Sequence, residues 1–141
     1  MPRYGILNMA IGFAVLLLAA AGGSFVAFDL TEGFLKDPSI LSSWQTALLQ
    51  SAHGHTNMFG MIHILVGLTL PYTKLPPKWQ LAETLGFLAG TLAMGPGMML
   101  RAYGGPSDSL DITGLIVGTG LSPSMIALGL HSSALFKRLL R

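Results

Sequence analysis

The chain has 141 residues, 51% of them hydrophobic and only 10% Asp, Glu, Lys or Arg. Soluble domains carry roughly a quarter charged residues, so 8 basic and 6 acidic side chains are too few for a water-facing surface, which argues against a soluble enzyme or a disordered tail. A net charge of +2 without a basic patch offers nothing to nucleic acid, and the absence of cysteine excludes disulfides, thiolate metal sites and a cysteine nucleophile while leaving the redox compartment open.

Four tracts in which charge is scarce follow one another, at about 6–28, 43–70, 81–100 and 112–136. Each is longer than the roughly 18 residues that mark a membrane-spanning helix. The first follows Arg3 and ends at Asp29; its apolar run exceeds the roughly 7–15 residues of a signal-peptide core, so it reads as a retained helix. Residues 30–42, with Pro38, read as a short interfacial helix or an ordered loop. The second tract is bounded by Trp44 and by Pro71, Tyr72 and Lys74, the third by Lys78 and Arg101, the fourth by Asp111 and Lys137. Between the last two, residues 104–108 (Gly-Gly-Pro-Ser-Asp) read as a turn. The expected fold is therefore an all-α integral membrane protein, a single four-transmembrane-helix bundle.

Lys and Arg set its orientation. Arg3, Lys74, Lys78, Lys137, Arg138 and Arg141 fall on one side, against Lys36 and Arg101 on the other, where Asp29, Glu32, Asp37, Asp108 and Asp111 also lie. Both termini are then cytoplasmic and the protein is a multi-pass component of the inner (cytoplasmic) membrane. Trp44, Tyr72, Trp79 and Tyr103 sit near the span ends, as interfacial aromatics do.

Helices in lipid associate through close backbone approach and polar contacts. Gly86 and Gly90 in the third span, and Gly114 and Gly118 in the fourth, give small-residue stripes at four-residue spacing. Pro96, between Gly95 and Gly97, is expected to break or kink the third helix, and Pro123 the fourth. Methionines 58, 61, 94, 98, 99 and 125 lie at depths where they could line one interior, either around a flat apolar ligand or as ordinary core filling.

The full charges lie at or near the span ends, so the spans keep histidines as their ionisable groups: His53, His55 and His63 in the second and His131 in the fourth. Ionisable groups at membrane depth are costly and mark functional sites. At about 100° per residue, His53, Asn57 and Gly60 share one face of a helix, while His55 lies about 200° from His53. One can face the protomer interior and the other a neighbouring copy. His63 lies roughly 15 Å further along the axis, near the depth of His131. Two placements of a metal follow, one at His53 and one between His63 and His131. Histidines without cysteine or buried carboxylate suit haem iron better than zinc or calcium; the alternative is a set of histidines that only hydrogen-bond across helices.

The run Ser51-Ala52-His53-Gly54-His55-Thr56-Asn57-Met58-Phe59-Gly60-Met61, continuing to Leu70-Pro71, resembles the second helix of the styrene oxide isomerases and of the small hydroxylaminobenzene mutases. The motif match covers about residues 44–71; the four-helix layout, with a tryptophan before the histidine, covers nearly the whole chain. The resemblance implies a homotrimer with haem b between protomers, His53 as axial ligand, and Met58, Gly60 and Met61 beside the cofactor. It also implies ferric iron acting as a Lewis acid on a small apolar epoxide, which isomerises to an aldehyde. Asn57 and His55 are the polar groups nearest that chemistry. The family's asparagine before the glycine is Phe59 here, and its third-helix aspartate and tyrosine have no counterpart in 91–100, Tyr103 being the nearest tyrosine. His-Gly-His followed by Met-Phe-Gly is also similar to histidine motifs of the haem-copper oxidase superfamily and of NnrS-type membrane proteins. That second likeness implies a membrane cytochrome for electron transfer or for binding nitric oxide or another gas, within a larger assembly.

Overall fold

A computed structural model describes residues 3–107, 109 and 111–140. Asp108 and Arg141, counted above in the charge distribution, lie outside the described residues. Among those described, 92% of the chain is helical and there is no strand. It forms α1 (Arg3–Lys36), a short 3-10 turn (Pro38–Ser42), α2 (Trp44–Thr73), α3 (Pro77–Leu92), a π-helical turn (Ala93–Gly97), α4 (Met98–Gly104) and α5 (Ile112–Leu139).

Local chemistry fixes the ends. Ser43 caps α2 by accepting from the Thr46 backbone N–H at 3.2 Å, Pro77 opens α3 where a missing N–H costs nothing, and Asp111 caps α5 by accepting from Gly114 N at 2.6 Å. Lys74 closes α2 in the left-handed region, φ 52°. The expected loop at 30–42 is corrected in part, because α1 runs seven residues past Asp29 to Lys36. A Glu32–Lys36 ion pair of 2.8 Å supports that last turn, and Asp37 then stops the helix by accepting from Ser39 N at 2.9 Å. Pro71 does not end α2, which continues to Thr73.

Two helices, α1 and α5, are long and apolar enough to cross a membrane. With 34 and 28 residues they are roughly 51 and 42 Å long, beyond a hydrocarbon core of about 30 Å. Their large apolar side chains point outward: Phe13 is 62% exposed, Leu17 72% and Ile126 72%. The interior, by contrast, is rich in polar groups, with Asn8, Thr46, His63, Glu83, Thr84, Thr91, Ser124 and His131 all buried. Aliphatic and aromatic packing is confined to two small clusters, one around Phe59 and Met98, the other around Leu70 and Phe87.

Glycines set the closest approaches. A Cβ on Gly12 would lie 2.6 Å from the Gly60 carbonyl oxygen, and one on Gly67 would lie 2.6 Å from the Gly5 carbonyl oxygen, so α1 and α2 touch backbone to backbone. The stripe expected on the third span is a contact too: a Cβ on Gly86 would meet Pro123 O of α5 at 2.8 Å, and one on Gly90 would meet Ser124 Oγ at 2.6 Å. The stripe expected on the fourth span is not, since Gly118 faces open space and Gly114 faces Arg101. At Pro96 the regular third helix is interrupted, as expected: α3 ends at Leu92, Ala93–Gly97 form a π turn, the local answer to the missing N–H, and α4 resumes at Met98. α5, by contrast, passes through Pro123 without a break. The methionines do not share one interior: Met94 and Met98 are buried, whereas Met58, Met61 and Met125 are exposed.

Candidate functional site

His53 stands on α2 at the junction of α1, α2 and the π turn. Its ring packs so closely on Gly23 of α1 that a Cβ there would overlap it. Asn57, one turn further, donates from Nδ2 to the His53 carbonyl oxygen at 3.0 Å and to His53 Nε2 at 3.1 Å. The shared face expected for these two residues is thus a direct bond. The other ring nitrogen, Nδ1, is buried and has no partner. Beside the ring lies a cavity of about 390 Å³ lined by Leu18, Gly22, Thr56, Thr91, Pro96 and Met99 among others. Its wall is apolar apart from His53, Thr56 and Thr91, and Thr56 spends its hydroxyl on the Ala52 carbonyl at 2.7 Å.

His55 lies on the other side of α2, as its spacing requires. It borders a shallow groove of about 250 Å³ with Ser51, Gly54 and Met58. Its Nδ1 lies 2.8 Å from the Ser51 carbonyl oxygen, which accepts from it. Met58 and Met61 are exposed on α2, and Gly60 is taken up by the α1 contact.

His63 and His131 belong to two separate polar clusters. His63 is fully buried and its Nδ1 is 2.8 Å from Asn8 Oδ1 on α1, with Nε2 3.3 Å from Thr91 Oγ1 on α3. Asn8 uses its amide hydrogens on Tyr4 O at 2.9 Å and Thr84 Oγ1 at 2.8 Å, so its oxygen faces His63 and Nδ1 is the donor. His131 places Nε2 2.8 Å from Thr69 Oγ1 on α2 and Nδ1 3.4 Å from Glu83 Oε2 on α3. Both nitrogens of each ring lie within 3.4 Å of a polar side chain, and the structure joins neither histidine to the other.

Three polar groups of these clusters escaped the sequence reading. Glu83 corrects the view that histidines are the only ionisable groups within the spans, because it is 0% exposed although it lies only two residues inside its tract. Asn8 and Thr84 are equally part of the interior. Asn8 is conspicuous in sequence as the lone strongly polar residue in the first half of an apolar tract, which is the signal that marks it.

No group of three or more His, Cys, Asp or Glu close enough to hold a metal ion exists among the described residues. A bare zinc or calcium ion would need such a group. An iron that brings four ring nitrogens with it needs one imidazole. A ligating histidine is typically oriented by a second partner on its other ring nitrogen. His53 leaves Nδ1 buried and without a partner, but Asn57 donates to its Nε2, so in the neutral ring Nδ1 carries the hydrogen. Comparison with protein-family models, with curated proteins and with solved structures finds no match to this chain.

Proposed function

We propose that the chain is a four-span membrane protein of the inner (cytoplasmic) membrane, both termini cytoplasmic, that binds haem b through His53 and acts on a small apolar molecule. The reaction proposed is the intramolecular isomerisation of an epoxide to an aldehyde, by the resemblance of residues 44–71 to styrene oxide isomerases. The membrane reading is supported by the inversion of the fold, with apolar side chains outward and a hydrogen-bonded polar interior. The single observation that carries the haem reading is His53 Nδ1, a buried nitrogen without a partner, on a residue that lines an apolar cavity.

When bound, ferric haem supplies a Lewis acid for an epoxide oxygen. The chain's own contribution is placement and dryness. Asn57 fixes the His53 ring by donating to Nε2 and to the His53 carbonyl oxygen; ligation through Nδ1 would require the ring hydrogen to leave that nitrogen. The cavity walls supplied by Leu18, Leu92 and Met99 are apolar, and the Thr91 hydroxyl on that wall spends its hydrogen on the Phe87 carbonyl at 2.9 Å, as Thr56 does on Ala52. At about 390 Å³ the cavity lies at the small end of ligand pockets. His55, on the opposite face, would look toward a neighbouring copy in a homo-oligomer.

The test is an absorption spectrum of the protein saturated with haem in lipid, with His53→Ala and His63→Ala beside the parent. A Soret band that persists in the His63 variant and vanishes in the His53 variant, with conversion of styrene oxide to its aldehyde, is the expected result. Absence of the band in the parent, or its loss only in the His63 variant, overturns the ligand assignment. A bis-histidine spectrum without isomerisation replaces the enzyme by a membrane cytochrome.

A further inference from the structure

Glu83 is the one acidic side chain buried among the described residues, and the haem reading makes no use of it. The hydrogen bonds around it determine where protons can sit. Thr69 Oγ1 donates to the Leu65 carbonyl at 2.6 Å. Its single hydrogen is thereby used, so toward His131, 2.8 Å away, it accepts and His131 Nε2 is the donor. In a neutral imidazole Nδ1 is then a lone pair, and it faces Glu83 Oε2 at 3.4 Å. Two lone pairs facing each other repel, so a proton belongs between them. A carboxylate at this place would leave its other oxygen, Oε1, charged, buried and without a partner. A protonated acid leaves only a neutral carbonyl oxygen unpartnered, which costs far less.

The surroundings agree. Facing the pair are His131 from α5, Glu83 from α3 and the uncharged Thr69 from α2. No Lys or Arg forms an ion pair with Glu83 among the described residues. Three basic residues of this end, Lys74, Lys137 and Arg138, line a hollow of about 200 Å³ that meets the Glu83 groove only at Leu130, and Lys78, on α3 itself, makes no ion pair with Glu83. That groove, about 460 Å³ between α3 and α5, is walled by Trp79, Leu85, Gly86 and Pro123 and gives the pair an approach from the side.

We propose that Glu83 and His131 form a proton-binding site inside the bundle, in which Glu83 Oε2 holds the proton at neutral pH and donates it to His131 Nδ1. Transfer breaks the O–H bond, forms an N–H bond and yields a carboxylate–imidazolium pair, with no other reactant; the reverse step restores the neutral pair. Thr69 holds the imidazole with Nε2–H outward, so Nδ1 is always the atom presented to the acid. The site stands apart from His53, and its test reads no haem.

The chain has two glutamates, Glu32 and Glu83, so carboxyl-13C glutamate labelling of the whole protein in lipid bilayers gives two carboxyl signals. Glu32 is exposed, and its bond to the Lys36 ammonium holds its carboxyl below the usual range, so it reports an ionised group. At pH 7 the expected spectrum contains one carboxylate signal and one protonated-acid signal, the second lost in Glu83→Gln. If that variant does not fold, Glu32→Gln makes the same assignment by removing the carboxylate signal instead. Two carboxylate signals at pH 7, or a protonated-acid signal that disappears with Glu32, overturns the proposal.

Discussion

His63 Nδ1 donates to Asn8 Oδ1 at 2.8 Å across 55 residues of sequence, and the same amide reaches Thr84 on a third helix. One side chain thus ties α1, α2 and α3 together where the surroundings offer no water to replace a lost bond. In lipid the apolar surfaces of helices gain little by meeting each other, so a junction of this kind contributes to which helices pair.

Asn8→Ala removes the acceptor of His63 and the donor to Thr84 at once. The buried partners are left unsatisfied, a loss of about 1–3 kcal/mol. Thermal unfolding in a mild detergent should show a clearly lower midpoint. A midpoint equal to that of the parent would mean the two partners find replacements.

The α1–α2 contact predicts a sharp contrast between glycines. Gly12→Val places side-chain atoms against the Gly60 carbonyl and Ile64, which must move apart. Overpacking of this sort costs about 1–3 kcal/mol. Gly118→Ala meets nothing within 4 Å and should be neutral, or slightly stabilising through helix propensity. Equal effects at the two positions in an unfolding titration would refute the packing described.

For the His53 site, two substitutions act without touching the histidine. Asn57→Ala removes the group that orients the ring, and loss of such a partner weakens a metal site by about 10–100-fold. Gly23→Ala puts a methyl group into the space of the ring and should lower haem occupancy while the far-ultraviolet helix signal stays unchanged. Haem titration followed at the Soret band measures both.

Asp111 makes acid sensitivity specific to the α4–α5 joint. The Gly114 N–H first, then the Thr113 hydroxyl and the Arg101 guanidinium, hold its carboxyl below the ordinary value of 3.8. A carboxyl whose folded value is lowered stabilises the fold above its unfolded value and loses that contribution as pH falls through the folded one. Melting curves taken from pH 6 downward should therefore decline below about pH 3.8. In Asp111→Asn the decline should be shallower and start from a lower plateau; an unchanged slope would place the acid sensitivity elsewhere.

Much of the architecture was legible because scarcity of charge and helical periodicity are one-dimensional signals. The four helical regions and the face shared by His53 and Asn57 at four-residue spacing follow from local order along the chain. The extension of α1 to Lys36 was hidden because Asp29 and Glu32 resemble a span boundary, although an exposed Glu–Lys pair continues a helix readily. The separation of His63 from His131 was hidden for a deeper reason. Their partners, Asn8 and Glu83, sit 55 and 48 residues away, and no periodicity encodes a cross-helix bond. The exposure of Met58 and Met61 has the same origin, since depth along a helix does not specify which side faces the bundle.

The π turn at Ala93–Gly97 carries one residue more than an α-helical turn would. Everything after it is therefore rotated by about 100° relative to a plain helix. That rotation is what aims Arg101 at Asp111, 2.7 Å away, and over the Trp44 ring at 5.5 Å. A chain lacking a single residue in this turn would keep its apolar character and its length almost intact. It would nevertheless present Arg101 to a different neighbour and unfasten the joint between α2, α4 and α5, so the register of α4 hangs on one inserted residue.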